Sequence, residues 1–159
     1  MTLTILLLLL CPAFTTETDL GPDRSPPPSR LEVFAPRERS KLRSALELAR
    51  EELTENERCA DLFDELSDDG ATLLAQARLA RPATLLERKL CARNVALFTT
   101  IGGRQISVCR SAFQLERRTL ATLLVHEAMH LGGQPESPAV EGAPTSRELT
   151  LRVRKACSF

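Results

Sequence analysis

Aromatic side chains are scarce in this chain of 159 residues: tryptophan and tyrosine are absent, and phenylalanine occurs six times. Proteins that stack on bases or sugars depend on such rings, so recognition of that kind is not expected. The formal net charge is zero, so the basic field that attracts nucleic acids is missing too. We therefore expect no nucleic-acid partner, and one domain long enough to bury a core.

The chain also lacks the run of about 20 apolar residues that a transmembrane helix needs. Its apolar stretch at residues 3–10 fits the core of a secretory signal peptide at residues 1–16, although no lysine or arginine precedes it. We expect no transmembrane helix, and a protein that is secreted or periplasmic. The alternative is a bacterial lipoprotein anchored through Cys11, but Leu10 stands where a lipidation motif requires a small residue.

Cysteine pairs of the C-x-x-C type are absent, so a cysteine zinc site or a thioredoxin-like motif is not indicated. Cys59, Cys91, Cys109 and Cys157 are spread through the body of the chain. Behind an export signal they predict two disulfides, formed in an oxidising compartment. Four cysteines allow three connectivities. Of these we favour Cys59–Cys91 and Cys109–Cys157, because each pair joins neighbouring elements.

Residues 17–36 contain five prolines and no periodic pattern, which predicts a linker ahead of a folded domain at residues 37–159. Most apolar residues of that domain recur at helical spacing. A first helix is predicted around the apolar stripe from Leu42 to Leu53. Shorter helices are predicted at residues 59–66, 71–80 and 83–91, and Thr145 with Glu148 forms a capping box that opens a last helix.

One part of the chain favours strands. Residues 94–101 and 104–110 are rich in β-branched and aromatic side chains and are separated by Gly102 and Gly103. This pattern predicts a β-hairpin with a two-residue turn, and it is the only strand signal in the chain. The expected fold is α+β and mostly helical, with the hairpin packed against the helix that contains both histidines.

Those two histidines form one motif, H-E-x-x-H, made by His126, Glu127 and His130. Residues four apart on a helix lie one turn above each other, so the two imidazoles can bind one zinc ion. The glutamate can then act as general base on a zinc-bound water. Apolar residues from Leu120 to Leu131 fall within about 140° of the helical wheel, and the histidines fall near its opposite side. The helix is therefore expected to pack on one face and to present its histidines to a cleft.

The motif continues to Gly133 and Glu136 as H-E-x-x-H-x-x-G-x-x-E. Over these residues the sequence resembles the zincin metallopeptidases, and in spacing their metzincin branch, which has a histidine where this chain has Glu136. The methionine turn of that branch has no counterpart here. The resemblance, with small secreted bacterial proteins of this build as the nearest kind, implies a minimal zincin-like domain that binds one zinc ion. It also implies that Gly133 turns the chain with a positive φ and brings Glu136 to the metal as third ligand.

Two other carboxylates are alternatives for the third ligand. Glu148 follows the motif at the start of the next helix, as the zinc-binding glutamate of gluzincins does, although the capping box with Thr145 also explains it. Glu141 lies in the loop between the two helices and could reach the metal.

The function implied by the resemblance is that of a secreted zinc-dependent metallopeptidase. Ligation by His126, His130 and Glu136 leaves one position for water, and Glu127 would take the proton of that water as it attacks a peptide bond. The substrate would be a peptide or protein, one arm of the hairpin could pair with it, and the chain is expected to be a monomer. The alternative is a non-catalytic secreted zinc-binding or protein-interaction domain, in which a further ligand closes the metal site.

Overall fold

A computed structural model describes residues 31–93 and 95–159 of the chain. The predicted signal peptide, Cys11 and most of the predicted linker lie outside these residues. The described part is α+β and mostly helical, as predicted. Its α-helices are α1 (Pro36–Glu55), α2 (Glu57–Ala60), α3 (Gly70–Gln76), α4 (Leu85–Cys91), α5 (Arg117–Leu131) and α6 (Ser146–Ala156). Its strands are β1 (Arg78–Ala80), β2 (Leu97–Thr99) and β3 (Gln105–Val108), and short 3-10 helices span Asp61–Phe63 and Arg110–Gln114.

Helix α5 forms the centre of the fold, and α1, α3, α6 and β2 all pack against it. Its predicted apolar face is buried throughout: Leu120, Ala121, Leu124, Val125, Ala128 and Leu131. The stripe predicted on α1 is buried as well, through Leu42, Ala45, Ala49 and Leu53. Each fully buried leucine contributes about 1.5–3 kcal/mol through the hydrophobic effect. Phe34, in the segment assigned to the linker, is also buried in this core.

The sheet has three strands in the order β1-β3-β2. The predicted hairpin is confirmed, because β2 and β3 pair antiparallel, but its connection covers residues 100–104 and not two residues. Strand β1 pairs parallel with β3 and was wrongly predicted as the end of a helix over residues 71–80. The segment from Ala77 to Ala80 consists of good helix formers; pairing with β3 overrides that local preference once α3 ends at Gln76.

Two disulfides are present, but the predicted pairing is wrong: Cys59 is bonded to Cys157, and Cys91 to Cys109. Helix α6 returns to α2 across the fold, so Cys157 lies beside Cys59 with 4.7 Å between their Cα atoms. Because β3 runs antiparallel to β2, Cys109, directly after the end of β3, lies near the beginning of β2 and close to Cys91 at the end of α4. The first pair thus joins distant parts of the chain, and the second depends on the return of β3 beside β2.

None of the helices within residues 31–93 and 95–159 combines the length and the apolar character needed to cross a membrane. The two disulfides are compatible with an extracellular location, where such bonds form and persist.

Candidate metal centre

The last turns of α5 and the loop after it bring three ligand side chains together. Helix α5 places His126 and His130 one turn apart, and the chain then leaves the helix through Gly133, whose φ of 102° confirms the predicted positive value. Only glycine adopts this conformation without a steric penalty. The loop is held in shape by a hydrogen bond from the Ser137 N–H to the Pro144 carbonyl, at 2.9 Å. As a result Glu136 turns back toward the two imidazoles.

The three ligand atoms form a nearly equilateral triangle. His126 Nε2 lies 3.0 Å from His130 Nε2, and Glu136 Oε2 lies 3.3 Å from the former and 3.2 Å from the latter. Ligands about 2.0–2.1 Å from a zinc ion at tetrahedral angles are about 3.3–3.4 Å apart. This group of side chains could therefore hold a metal ion, and its spacing fits a tetrahedral one.

Polar contacts on the far side of each ring orient the two histidines. His130 Nδ1 lies 2.7 Å from the Gln134 carbonyl oxygen, which can only accept, so Nδ1 donates and Nε2 bears the lone pair. His126 Nδ1 lies 3.0 Å from Thr150 Oγ1 on α6. The two Nε2 atoms and one carboxylate oxygen thus converge on a single point, which is a favourable environment for a cation.

Burial keeps His126 in the neutral form that binds metals. It lowers the pKa of His126 to about 4; the nearby His130 acts in the same direction, and the Glu136 carboxylate acts against it. The imidazole of His126 is only 3% exposed, so the loss of solvation is the dominant cause. Protonation of this ring therefore does not compete with a metal ion near neutral pH.

Glu127 is a buried carboxyl group beside the ligands. Its Oε2 atom is buried and has no hydrogen-bond partner within residues 31–93 and 95–159, which is rare for a buried polar atom. Burial, together with the negative charge of Glu136, raises the pKa of Glu127 to about 8, while a hydrogen bond from the Thr99 backbone acts in the opposite direction. A water or substrate at the centre would supply the partner that Oε2 lacks.

Glu127 and the ligands line a pocket of about 240 Å³. Its other described walls are mostly apolar and include no lysine or arginine; they are formed by Leu90, Val95, Leu97, Phe98, Thr99 and Ser146. The pocket thus lies between α4, strand β2 and the turns of α5 that contain His126 and His130. It gives the centre access to solvent and room for a small part of a ligand.

The two alternative ligands lie elsewhere. Glu148 is exposed, and its carboxylate accepts hydrogen bonds from the Thr145 N–H and hydroxyl at 2.7 and 2.9 Å, which confirms the predicted capping box. Glu141 is exposed in the loop. Neither belongs to the group formed by His126, His130 and Glu136.

Sequence reasoning missed two contacts of this site. Thr99 contributes through its backbone N–H. Because nearly every residue has this group, the residue type at position 99 does not predict the contact. Thr150 lies between the buried residues Leu149 and Val153 of α6, and a threonine in such a place has no distinctive pattern.

Comparisons of the chain with protein-family models, with curated proteins and with solved structures found no significant match. The resemblance to zincins therefore rests on the sequence motif from His126 to Glu136 alone.

Proposed function

We propose that the protein is a secreted zinc metallopeptidase in which Glu127 acts as general base. One observation supports this above all: three ligand atoms converge at 3.0–3.3 Å beside a buried carboxyl group with a free oxygen. A structural metal site needs no such carboxyl group. A hydrolytic site does, because a proton must leave the attacking water.

Zinc is the metal that this donor set favours. Two imidazoles and one carboxylate are a common catalytic zinc set, with the fourth position left for water. Within the part of the chain that the structure describes, no other His, Cys, Asp or Glu joins the group, which favours an open site over the closed, non-catalytic alternative. When bound, zinc lowers the pKa of a water ligand to about 7 and polarises a substrate carbonyl.

The role of Glu127 follows from its position. The Thr99 backbone N–H holds the carboxyl group, while Oε2 has no partner among the described residues and Glu127 lines the pocket. Oε2 can therefore accept the proton of the attacking water. The low polarity that raises the pKa of Glu127 also keeps this proton available for the leaving amine, whose departure requires protonation.

A peptide is the substrate class that strand β2 favours, because β2 lies at an edge of the sheet and also lines the pocket. The Ala96 carbonyl accepts a hydrogen bond from the Cys109 N–H at 2.9 Å, so the backbone groups of residues 96 and 98 point toward β3. By alternation those of Leu97 and Thr99 point away from β3, and the Thr99 N–H indeed reaches Glu127. The remaining Leu97 backbone groups can pair with an extended peptide beside the centre.

The test uses the full exported chain and the substitution Glu127→Gln. The wild type is expected to contain one zinc ion and to hydrolyse casein or a quenched peptide library. Glu127→Gln should retain zinc and lose hydrolysis by about 10²-fold or more, whereas Glu141→Gln, at an exposed position of the loop, should change neither. Wild type without zinc would refute the site. Wild type with zinc and without hydrolysis would instead support the non-catalytic zinc-binding domain.

A further inference from the structure

The two histidines of the centre are oriented by different kinds of partner. His130 donates through Nδ1 to a backbone carbonyl, that of Gln134, which belongs to the adjoining loop. His126 has its Nδ1 next to a single side-chain hydroxyl, Thr150 Oγ1, 24 residues away in sequence. The orientation of His126 therefore depends on one side chain of another helix.

We propose that Thr150 is a positioning residue that keeps His126 in the tautomer able to bind the metal. A neutral imidazole carries one proton, and Nε2 of His126 can bind a cation only if that proton is on Nδ1. A buried N–H requires an acceptor, and Thr150 Oγ1 is placed to provide it at 3.0 Å. This inference rests on the proposed metal site and adds to it a residue outside the motif.

Helix α6 is built to hold the Thr150 hydroxyl in place. Leu149 and Val153, on the same side of the helix, are fully buried against the core. Thr145 and Glu148 cap the first turn, and the disulfide from Cys157 to α2 fixes the other end. Thr150 is therefore fixed relative to α5, as positioning of a ligand to within a few tenths of an ångström requires.

The test compares two substitutions of Thr150 in the full chain. Thr150→Val keeps the shape but replaces the hydroxyl with a methyl group, and Thr150→Ser keeps the hydroxyl. Competition with a fluorescent chelator should show zinc affinity reduced about 10–100-fold in Thr150→Val and close to wild type in Thr150→Ser. Thr54→Val is the matched control, because the Thr54 hydroxyl on α1 bonds only to the Arg50 carbonyl, at 2.8 Å; it should leave zinc affinity unchanged.

A second measurement observes the Nδ1–H of His126 directly in the zinc-loaded protein. Because the chain contains two histidines, ¹⁵N NMR of the imidazoles is simple to assign. The Nδ1–H of His126 should exchange slowly with solvent in the wild type and in Thr150→Ser, where a hydroxyl accepts it, and should exchange faster in Thr150→Val.

Zinc affinity, or exchange of the His126 Nδ1–H, equal to that of the wild type in Thr150→Val would overturn the proposal. So would a loss of affinity in Thr150→Ser as large as in Thr150→Val, because packing would then be the cause. If the wild type binds zinc but hydrolyses no peptide, the proposed peptidase fails and both measurements still decide on Thr150. If it binds no zinc, the proposed site and the role of Thr150 both fail.

Discussion

Replacing the buried carboxyl group of Glu127 should change how the stability of the metal-free protein depends on pH. The pKa of Glu127 is about 8 in the fold, raised from 4.5. Between these values the folded protein holds a proton that the unfolded chain has released. The stability associated with Glu127 is therefore fully present below pH 4.5 and is lost as the pH rises toward 8.

The size of the effect follows from the shift. One pKa unit corresponds to about 1.36 kcal/mol, so the wild type should lose about 3–4 kcal/mol of this contribution between about pH 5 and about pH 8. Glu127→Gln keeps the size of the side chain and an oxygen for the Thr99 N–H, but it does not titrate. The free energy of unfolding of Glu127→Gln should thus rise by about 3–4 kcal/mol relative to the wild type over this range.

The measurement is urea unfolding, followed by circular dichroism, of both proteins after removal of metal by EDTA. His126, whose pKa is lowered to about 4, changes the stability in the opposite direction. Its contribution to the free energy of unfolding is present above about pH 6.5 and is lost as the pH falls through 4. The contribution of His126 is the same in both proteins, so it cancels when their free energies of unfolding are subtracted. Saturating zinc should reduce the difference, because a nearby cation favours the ionised carboxylate.

A difference between the two proteins that stays constant from pH 5 to pH 8 would refute the description of Glu127 as a buried carboxyl group without a partner. Glu141→Gln, at an exposed position, is the control and should give a constant difference.

The remaining predictions concern the ligands and the disulfides. His130→Ala should abolish zinc binding in a metal analysis of the purified protein, and Glu136→Ala should weaken it strongly; a Glu136→Ala protein with the zinc affinity of the wild type would show that Glu136 is not a ligand. Replacing Cys59 and Cys157 together by serine should lower the free energy of unfolding by about 4–5 kcal/mol, against about 3 kcal/mol for the other disulfide, because the two loops span 98 and 18 residues. Equal losses in urea unfolding would contradict this entropic ordering.

The parts of the fold that the sequence predicts are those with a long periodic pattern. Helices α1 and α5 each repeat their apolar positions over several turns, and α6 adds the capping box of Thr145 and Glu148. Strand β1 has three residues, too few for any alternation to be recognised, and its pairing with β3 is a property of the folded chain. The predicted disulfide pairing was wrong for a related reason: no sequence pattern near Cys59 indicates that the end of α6 packs beside it.

At the candidate centre, the motif predicts ligands that are adjacent on one helix or follow one turn. His126 and His130 are related by helical geometry, and Gly133 makes the approach of Glu136 possible by a conformation that sequence can predict. Thr150 comes from a separate element, and its contact depends on how α6 packs on α5. Residues that orient the ligands are therefore harder to predict than the ligands.

The connection between β2 and β3 has one further property. The Gly102 N–H, at the tip of residues 100–104, donates to the carbonyl oxygen of His130 at 2.8 Å. Exposed hairpin tips commonly tolerate inserted residues, but here the tip is bonded to the peptide group of a ligand. The length of this connection is thus matched to the metal-binding turn, so a variant with a longer tip would displace His130, whereas insertions around the exposed Glu141 would not.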